Sequence, residues 1–493
     1  MPQRPNILFV LADQLRAASL PLYGNNQIAT PHLDRLAAQG TTFSNTISTY
    51  PVCTPYRSML VTGRHPQTTG HLLNHVRTRH DEISIADAFA HAGYRTGWVG
   101  KWHLHNDGFF SGHGPDYVPE GRDRLGFDYW RAYNCHMEYF DGFVHLKDWH
   151  VEPWKGYETD GLAGYAEQFI SAEDRSFDCA QGRPFCLFVS PHQPHWTYGK
   201  FAPDEYYARL PRHLALPANV SAGATEALIP QYRHYLAMTL ALDDMMGRLM
   251  ADLDRSGLAE NTIVVFTSDH GTMMGAHADE PWFSKLPPPE RNPAQAAWEK
   301  MLPWQESIHV PLIARWPGRI AAAAQCDALT APVDFFPTLC GLCGVKVPRT
   351  VEGMDLSDTW LARPGAARQE ALLTMNYIAG WPGYLTSGNE WRGVRTRRHS
   401  YARWLDGRAV LYDLQADPLE MNNLADAPAA RDLRRDLESQ LQRLLAQRGD
   451  TFAPCTEYAD WFDAQRRIVR NAFGALGNPD KEPDLTLLEV LTK

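Results

Sequence analysis

Three stretches of the chain, residues 6–12, 184–190 and 261–268, are apolar almost without interruption. Short runs of this kind predict strands buried on both faces, as in a parallel sheet. A further strand is expected at 94–99, and another within 304–313. Between them the period changes. Residues 31–39 and 83–92 read as helices, the second closed by Gly93, and 232–256 reads as one long helix with a stripe of Leu240, Leu242, Met246, Leu249 and Leu253. Alternating strands and helices predict an α/β architecture, a large mixed, mostly parallel sheet sandwiched by helices. Past about residue 365 the pattern becomes alternation, at 372–377, 391–396, 400–404 and 410–414, followed by a helix at 428–446. The expected organisation is therefore a large α/β domain at 1–365 and a small α+β domain with a short antiparallel sheet at 366–450. The 451–493 tail, which carries no motif, is expected as an oligomer contact or a wall of a neighbouring subunit's site.

Composition narrows the function classes. The 493 residues carry a net charge of −10 with no basic run, which argues against nucleic acid as a partner. No apolar stretch reaches membrane-spanning length, and residues 1–5 lead into the first strand without a signal-like apolar region, so a cytoplasmic location is expected. The eight cysteines are scattered and form no disulfide framework. Cys340 and Cys343 make a lone C-x-x-C on an amphipathic helical stretch, where packing is the expected role.

Candidate chemistry sits at strand ends, where open α/β sheets collect function. Asp13 and Gln14 follow the first strand, and Asp269 and His270 follow the strand at 261–268. One such Asp could be a turn or cap residue. Two converging carboxylates repel unless a cation lies between them, and oxygen ligation favours a hard divalent ion. Lys101 and His103 follow the 94–99 strand two apart, so an extended backbone would project both to one side; a solvated Lys and a hydrogen-bonded His are the ordinary alternative. Cys53 precedes a short helix in which Thr54 is the expected N-cap, Pro55 an early helical residue and Gly63 the stop. Arg57, one turn on, is placed to hold an oxyanion at position 53. Taken alone, Cys53 reads as a small buried hydrophobe.

The stretch Cys53-Thr54-Pro55-Tyr56-Arg57, continued by Leu60-Val61-Thr62-Gly63-Arg64, resembles the formylglycine signature of the type I sulfatases in the alkaline-phosphatase-like superfamily. Gly100-Lys101-Trp102-His103-Leu104, Pro191-His192-Gln193-Pro194, Asp269-His270-Gly271 and Lys300 with its spacing to Trp304 and Val310-Pro311 are similar to further motifs of that family, in order. Leu411-Tyr412-Asp413-Leu414 resembles its small C-terminal domain. The resemblance implies hydrolysis of a sulfate ester to an alcohol and inorganic sulfate. It implies that a formylglycine-generating enzyme converts Cys53, whose aldehyde hydrate is the nucleophile, with Arg57, Lys101, His103, His192, Lys300 and Asp269 as catalytic residues. In that scheme His192 protonates the leaving group, Asp269 is the first base and His103 the second. The implied metal ligands are Asp13, Gln14, Asp269, His270 and residue 53 as its hydrate. Gln14 and His270 depart from the family's more acidic pattern; Ca²⁺ remains the first expectation, with Mg²⁺ or Mn²⁺ as alternatives. Lys285 competes with Lys300 for its role, and the spacing favours Lys300.

Three other readings suit parts of this pattern. A phosphonate monoester or phosphodiester hydrolase would share nucleophile and metal, but His103 favours sulfate. A zinc hydrolase using His103, His105, His192 and His195 would leave Cys53 and Arg57 unexplained. A catalytically silent relative would bind sulfated ligands only. The irregular, aromatic 105–180 segment, with Trp130, Trp149 and Trp154, offers surfaces that could stack on a sugar, which leans the substrate toward a small sulfated carbohydrate.

Overall fold

The computed structural model describes residues 4–106, 116–171, 182–279, 293–364, 366, 369–377 and 390–488. Ten strands form the central sheet: β1 Asn6–Ala12, β2 Thr41–Phe43, β3 Arg95–Lys101, β4 Tyr129–Tyr133, β5 Phe143–His145, β6 Val151–Pro153, β7 Phe185–Ser190, β8 Thr262–Ser268, β9 Leu312–Arg315 and β10 Ala324–Cys326. Their order is β10-β2-β9-β8-β1-β7-β3-β4-β5-β6. The central five, β8-β1-β7-β3-β4, are parallel, while β9, β5 and β6 join antiparallel to their neighbours.

Because the central strands are apolar on both faces, the sheet divides two cores. Leu8, Val10, Leu187 and Val189 pack with the helices Glu158–Ile170 and Thr225–Arg255. Ile7, Phe9, Phe188 and Val265 pack on the other face with the helices Cys53–Thr62, Ile85–His91 and Phe335–Cys343. Cys340 and Cys343 lie in this second core as free thiols, and the Cys343 thiol is pushed up to about 12 by burial, as a packing role requires.

A separate four-stranded antiparallel meander follows, β11 Leu372–Asn376, β12 Trp391–Arg395, β13 His399–Trp404 and β14 Ala409–Asp413. Leu437, Leu441 and Leu445 of the helix Arg431–Arg448 pack against it. The tail folds back on its own chain: Arg79 donates to the carbonyl of Ile468, Asn106 to that of Gln465, and Arg77 pairs with Asp480.

Several local expectations are corrected. The strand expected within 304–313 begins only at Leu312, after a helical turn Gln305–Ile308. The 105–180 segment is less irregular than its sequence suggests and supplies β4, β5, β6 and the helix Glu158–Ile170. Trp130 and Trp154 are core residues, whereas Trp149 is 67% exposed. Lys285 and Cys179 lie outside the described residues. Among the described residues, no helix is long and apolar enough to cross a membrane.

Candidate active site

Strand register brings the two carboxylates together. Ala12 of β1 pairs with Ser268 of β8, so Asp13 and Asp269, the next residues, leave the sheet side by side. Both are fully buried. Lys101 arrives from the end of β3, two strands away, through a close approach that glycine alone allows: a Cβ on Gly100, at φ +94°, would lie 2.3 Å from the carbonyl oxygen of Ser190.

The helix Cys53–Thr62 begins at Cys53 itself, not after a Thr54 cap. Thr54 instead donates its hydroxyl to the carbonyl of His103 at 2.7 Å and its backbone N–H to Asn74 Oδ1 at 2.9 Å. Gly63 ends the helix at φ 65°, as expected. Every residue of this helix is buried, and Cys53 Sγ sits 3.2 Å from His270 Nε2, 3.4 Å from Lys300 Nζ and 3.9 Å from both Lys101 Nζ and Asp13 Oδ1. Burial and Asp13 push this thiol up, but Lys101, Lys300 and His270 outweigh them and its net shift is downward.

The hydrogen bonds of Arg57 go to the carboxylates and the strand ends. Its Nη2 donates to Asp13 Oδ2 at 3.3 Å and Asp269 Oδ2 at 3.2 Å, and its Nη1 donates to the Lys101 carbonyl and Ser190 Oγ, each at 2.9 Å. It thus clamps the two carboxylates. Lys101 Nζ donates to Asp13 Oδ2 at 2.6 Å, and the ion pair holds Lys101 above its usual range against the opposing effect of burial. Asp13 is pushed up by burial but held well below the carboxylate range by Lys101 and its other cationic neighbours.

The residues fit a divalent cation. Ligand atoms of Asp13, Cys53, Asp269 and His270 all lie within 4.8 Å of one another, and all four residues are buried. Gln14, at φ 68°, spends its side-chain N–H groups on Thr272 Oγ1 and the Trp298 carbonyl, which leaves Oε1 as the amide atom able to ligate. Its backbone N–H and that of His270 donate to Asp269 Oδ1.

His103 is not in extended backbone; at φ 57° it turns out of the strand line, with Nε2 3.4 Å from His75 Nδ1. His192 is fully buried, and its Nδ1 lies 3.0 Å from Glu158 Oε1. Two imidazole nitrogens, His103 Nδ1 and His192 Nε2, are buried without a hydrogen-bond partner, and of the two residues His103 is the one among the cavity's lining residues. Burial, with Lys101 next in effect, holds both rings well below the usual histidine range.

A cavity of about 1570 Å³ opens over these groups, with Cys53, Lys101, His103, His195 and Lys300 among its lining residues. Tyr139, Phe140, Trp196, Tyr198 and Trp298 give it aromatic walls, so its tryptophans are not the ones expected from sequence. His195, which matched no motif, lines this cavity. Its Nδ1 faces the Trp196 carbonyl at 2.7 Å, and its Nε2 is 3.2 Å from Lys300 Nζ. His75 and Glu158 were missed, since neither falls in a motif. His105 turns away to Asp123 at 3.4 Å, and no zinc-type grouping of His103, His105, His192 and His195 occurs among the described residues.

Comparisons with known proteins identify the family. The sulfatase family model matches residues 5–345, and the model of the C-terminal part of N-sulphoglucosamine sulphohydrolase matches 295–447. An ulvan-active sulfatase of Formosa agariphila is 34% identical over 464 residues, covering 92% of this chain and 83% of its own. An N-acetylglucosamine-6-O-sulfatase of Bacteroides thetaiotaomicron is 25% identical, covering 95% and 91%. The solved phosphonate monoester hydrolase of Agrobacterium radiobacter has a TM-score of 0.68 at 20% identity over 90% of this chain and 96% of that one, which shows a shared fold alone. Of the two reactions weighed from sequence, these matches decide for the sulfate ester: the chain belongs to the sulfatase family and is a sulfuric ester hydrolase.

Proposed function

We propose that the substrate is a sulfated carbohydrate, hydrolysed with formylglycine at position 53 and Ca²⁺ at the carboxylate pair. The observation that carries the substrate class is the wide, aromatic-walled cavity above Cys53, since sugar rings stack on such surfaces. The ulvan-active and N-acetylglucosamine-6-O-sulfatase relatives support it. Asp13, Gln14, Asp269, His270 and residue 53 would hold the cation. When bound, it supplies positive charge that favours an ionised nucleophile and offsets charge on the sulfate oxygens. Formylglycine, made by a formylglycine-generating enzyme, supplies a hydrated aldehyde whose second hydroxyl allows sulfate to leave.

The chain's own residues divide the remaining work. Asp269 takes the proton of the attacking hydroxyl, and Lys101 and Lys300 stabilise negative charge as it spreads over the sulfate. His192 is the donor that the resemblance implies for the departing alcohol oxygen, while His195 is the histidine after β7 that lines the cavity beside Lys300, and His103 accepts a proton in the release step. Arg57 holds Asp13 and Asp269 in place between these events.

A panel of sulfated mono- and oligosaccharides against aryl sulfates, assayed on protein made together with a formylglycine-generating enzyme, tests this reading. Higher kcat/KM on a sugar sulfate is expected. Turnover confined to aryl sulfates would overturn the carbohydrate assignment.

A further inference from the structure

Lys101 and Lys300 both reach position 53, but the chain holds them differently. Lys101 ends β3 and is fastened by its ion pair with Asp13. Lys300 lies in neither a helix nor a strand, between a helical turn at Pro293–Ala296 and the one at Gln305–Ile308. Its Nζ faces Cys53 Sγ at 3.4 Å, His195 Nε2 at 3.2 Å and His270 Nε2 at 3.3 Å, none of them a carboxylate that would anchor it. Where Nζ stands therefore depends on what holds the backbone on either side.

On the N-terminal side the holding groups come from the loops after β1 and β8. Met273 donates its backbone N–H to the Glu299 carbonyl at 2.8 Å, Met274 to that of Ala297 at 2.8 Å, and Gln14 Nε2 to that of Trp298 at 2.9 Å. On the C-terminal side they come from the second sheet and the loop that follows it. Trp391 Nε1 of β12 donates to the Met301 carbonyl at 2.7 Å, Trp304 Nε1 to the Tyr412 hydroxyl at 3.2 Å, and the Gln305 N–H to Glu420 Oε2 at 2.7 Å. Lys300 sits where the grip passes from one sheet to the other.

Met301, the next residue, has φ 69°. A non-glycine residue keeps this left-handed conformation only where its surroundings impose it. Trp391 is fully buried in the same apolar cluster as Trp304, Trp404 and Tyr412, so its indole N–H is closed off from water and is satisfied by the Met301 carbonyl. That bond fixes the plane of the Met301–Leu302 peptide. It thereby holds the turn that leaves Lys300 lining the cavity while Trp304 returns to the core. Without it Met301 can fall back to negative φ, and the lysine moves with it.

We propose that Trp391, in the second sheet, is the positioning residue of Lys300, pinning the Met301 carbonyl so that the ammonium group stays beside position 53. This rests on the sulfate-ester reading in which Lys300 stabilises charge on the sulfate. The second sheet then shapes the site from a distance, since among the described residues none of the cavity's lining residues belongs to it.

Trp391→Phe keeps a ring in the core and removes the N–H. Its kcat on 4-nitrophenyl sulfate or a sugar 6-sulfate, whichever the wild type turns over, is expected to fall on the order of 10- to 10²-fold, with the content of divalent ion unchanged. The double-variant cycle separates positioning from packing: in a Lys300→Ala background, Trp391→Phe lowers kcat no further. Losses that multiply in the double variant, or wild-type turnover in Trp391→Phe, would overturn the proposal and leave Trp391 a core residue. If Trp391→Phe does not fold, Met301→Pro tests the same turn, because proline cannot adopt the left-handed conformation. It too should cost nothing beyond Lys300→Ala, and multiplied losses overturn the proposal. Full turnover in Lys300→Ala, or wild-type protein releasing sulfate from neither ester, would instead sink the underlying reading.

Discussion

Lys101 Nζ and Asp13 Oδ2 stand 2.6 Å apart with both side chains closed off from solvent. A buried pair of this kind is weak evidence for stability, because desolvation offsets the attraction. Its position argues for chemistry instead, since Lys101 also lies 3.9 Å from Cys53 Sγ and lines the cavity. Lys101→Met is expected to lower kcat on the order of 10²- to 10³-fold while the cation remains bound, measured by sulfate release and elemental analysis of the same sample.

Asp269 presents the opposite case. Its Oδ2 accepts from Arg57 and its Oδ1 from two backbone N–H groups, so it is tied in place before any cation binds. Asp269→Asn keeps the shape and removes the charge. Both the bound divalent ion and sulfate-ester turnover should be lost; full activity on an aryl sulfate with this variant would show that Asp269 has been given the wrong role.

Cys53 should be found as formylglycine when the protein is produced alongside a maturation enzyme, and only that fraction should be active. Peptide mass spectrometry against specific activity checks this. Thiol alone in a fully active sample would exclude the covalent scheme.

Stability should fall on both sides of a mildly acidic to neutral window. Burial pushes His71 down to about 3, with its ring nitrogens engaged by Ser58 and Thr78. The unfolded chain therefore takes up a proton that the folded chain refuses as pH drops below about 6.5, and stability is lost there at up to about 1.4 kcal/mol per pH unit for such a group. Burial raises Glu158 to about 7 and Glu420 to about 8. Their sign is reversed: stability is full below the ordinary glutamate value and declines as pH climbs through 7 to 8. Calorimetric Tm across pH should show a maximum between these limbs, with a shallower acid limb in His71→Asn.

Arg392 and Asp450, both with fully buried side chains, meet at 2.7 Å where the second sheet joins the end of its helix. Asp450 also accepts from Tyr377 and Gln67. Asp450→Ala leaves an uncompensated buried guanidinium and should cost about 3–5 kcal/mol in denaturant unfolding, whereas Arg392→Met combined with Asp450→Leu should cost much less.

What could be read from the sequence follows the length of the physical signal. β1, β7 and β8 announce themselves because a strand buried on both faces needs an unbroken apolar run, and the four strands of the second sheet because alternation persists through each. β2, β5, β6 and β10 span three residues each, too few for any period. At the site, Asp13 and Asp269 were legible from strand ends alone. Arg57 was legible as a site residue but not as a carboxylate clamp, because its partners are set by the β1–β8 register and not by its own helix. Glu158 and His75 are joined to the site across distances in sequence that no local pattern encodes.

The helix that carries residue 53 is buried from Cys53 to Thr62, including Pro55 and Arg57. No second protein could grip that stretch once the sheet and its covering helices have closed over it. Under the formylglycine reading proposed above, an enzyme that converts Cys53 would have to meet the chain early, while this segment is still extended and within reach. Activity would then depend on a race during synthesis: a copy folded before modification would be well packed, stable and without its nucleophile.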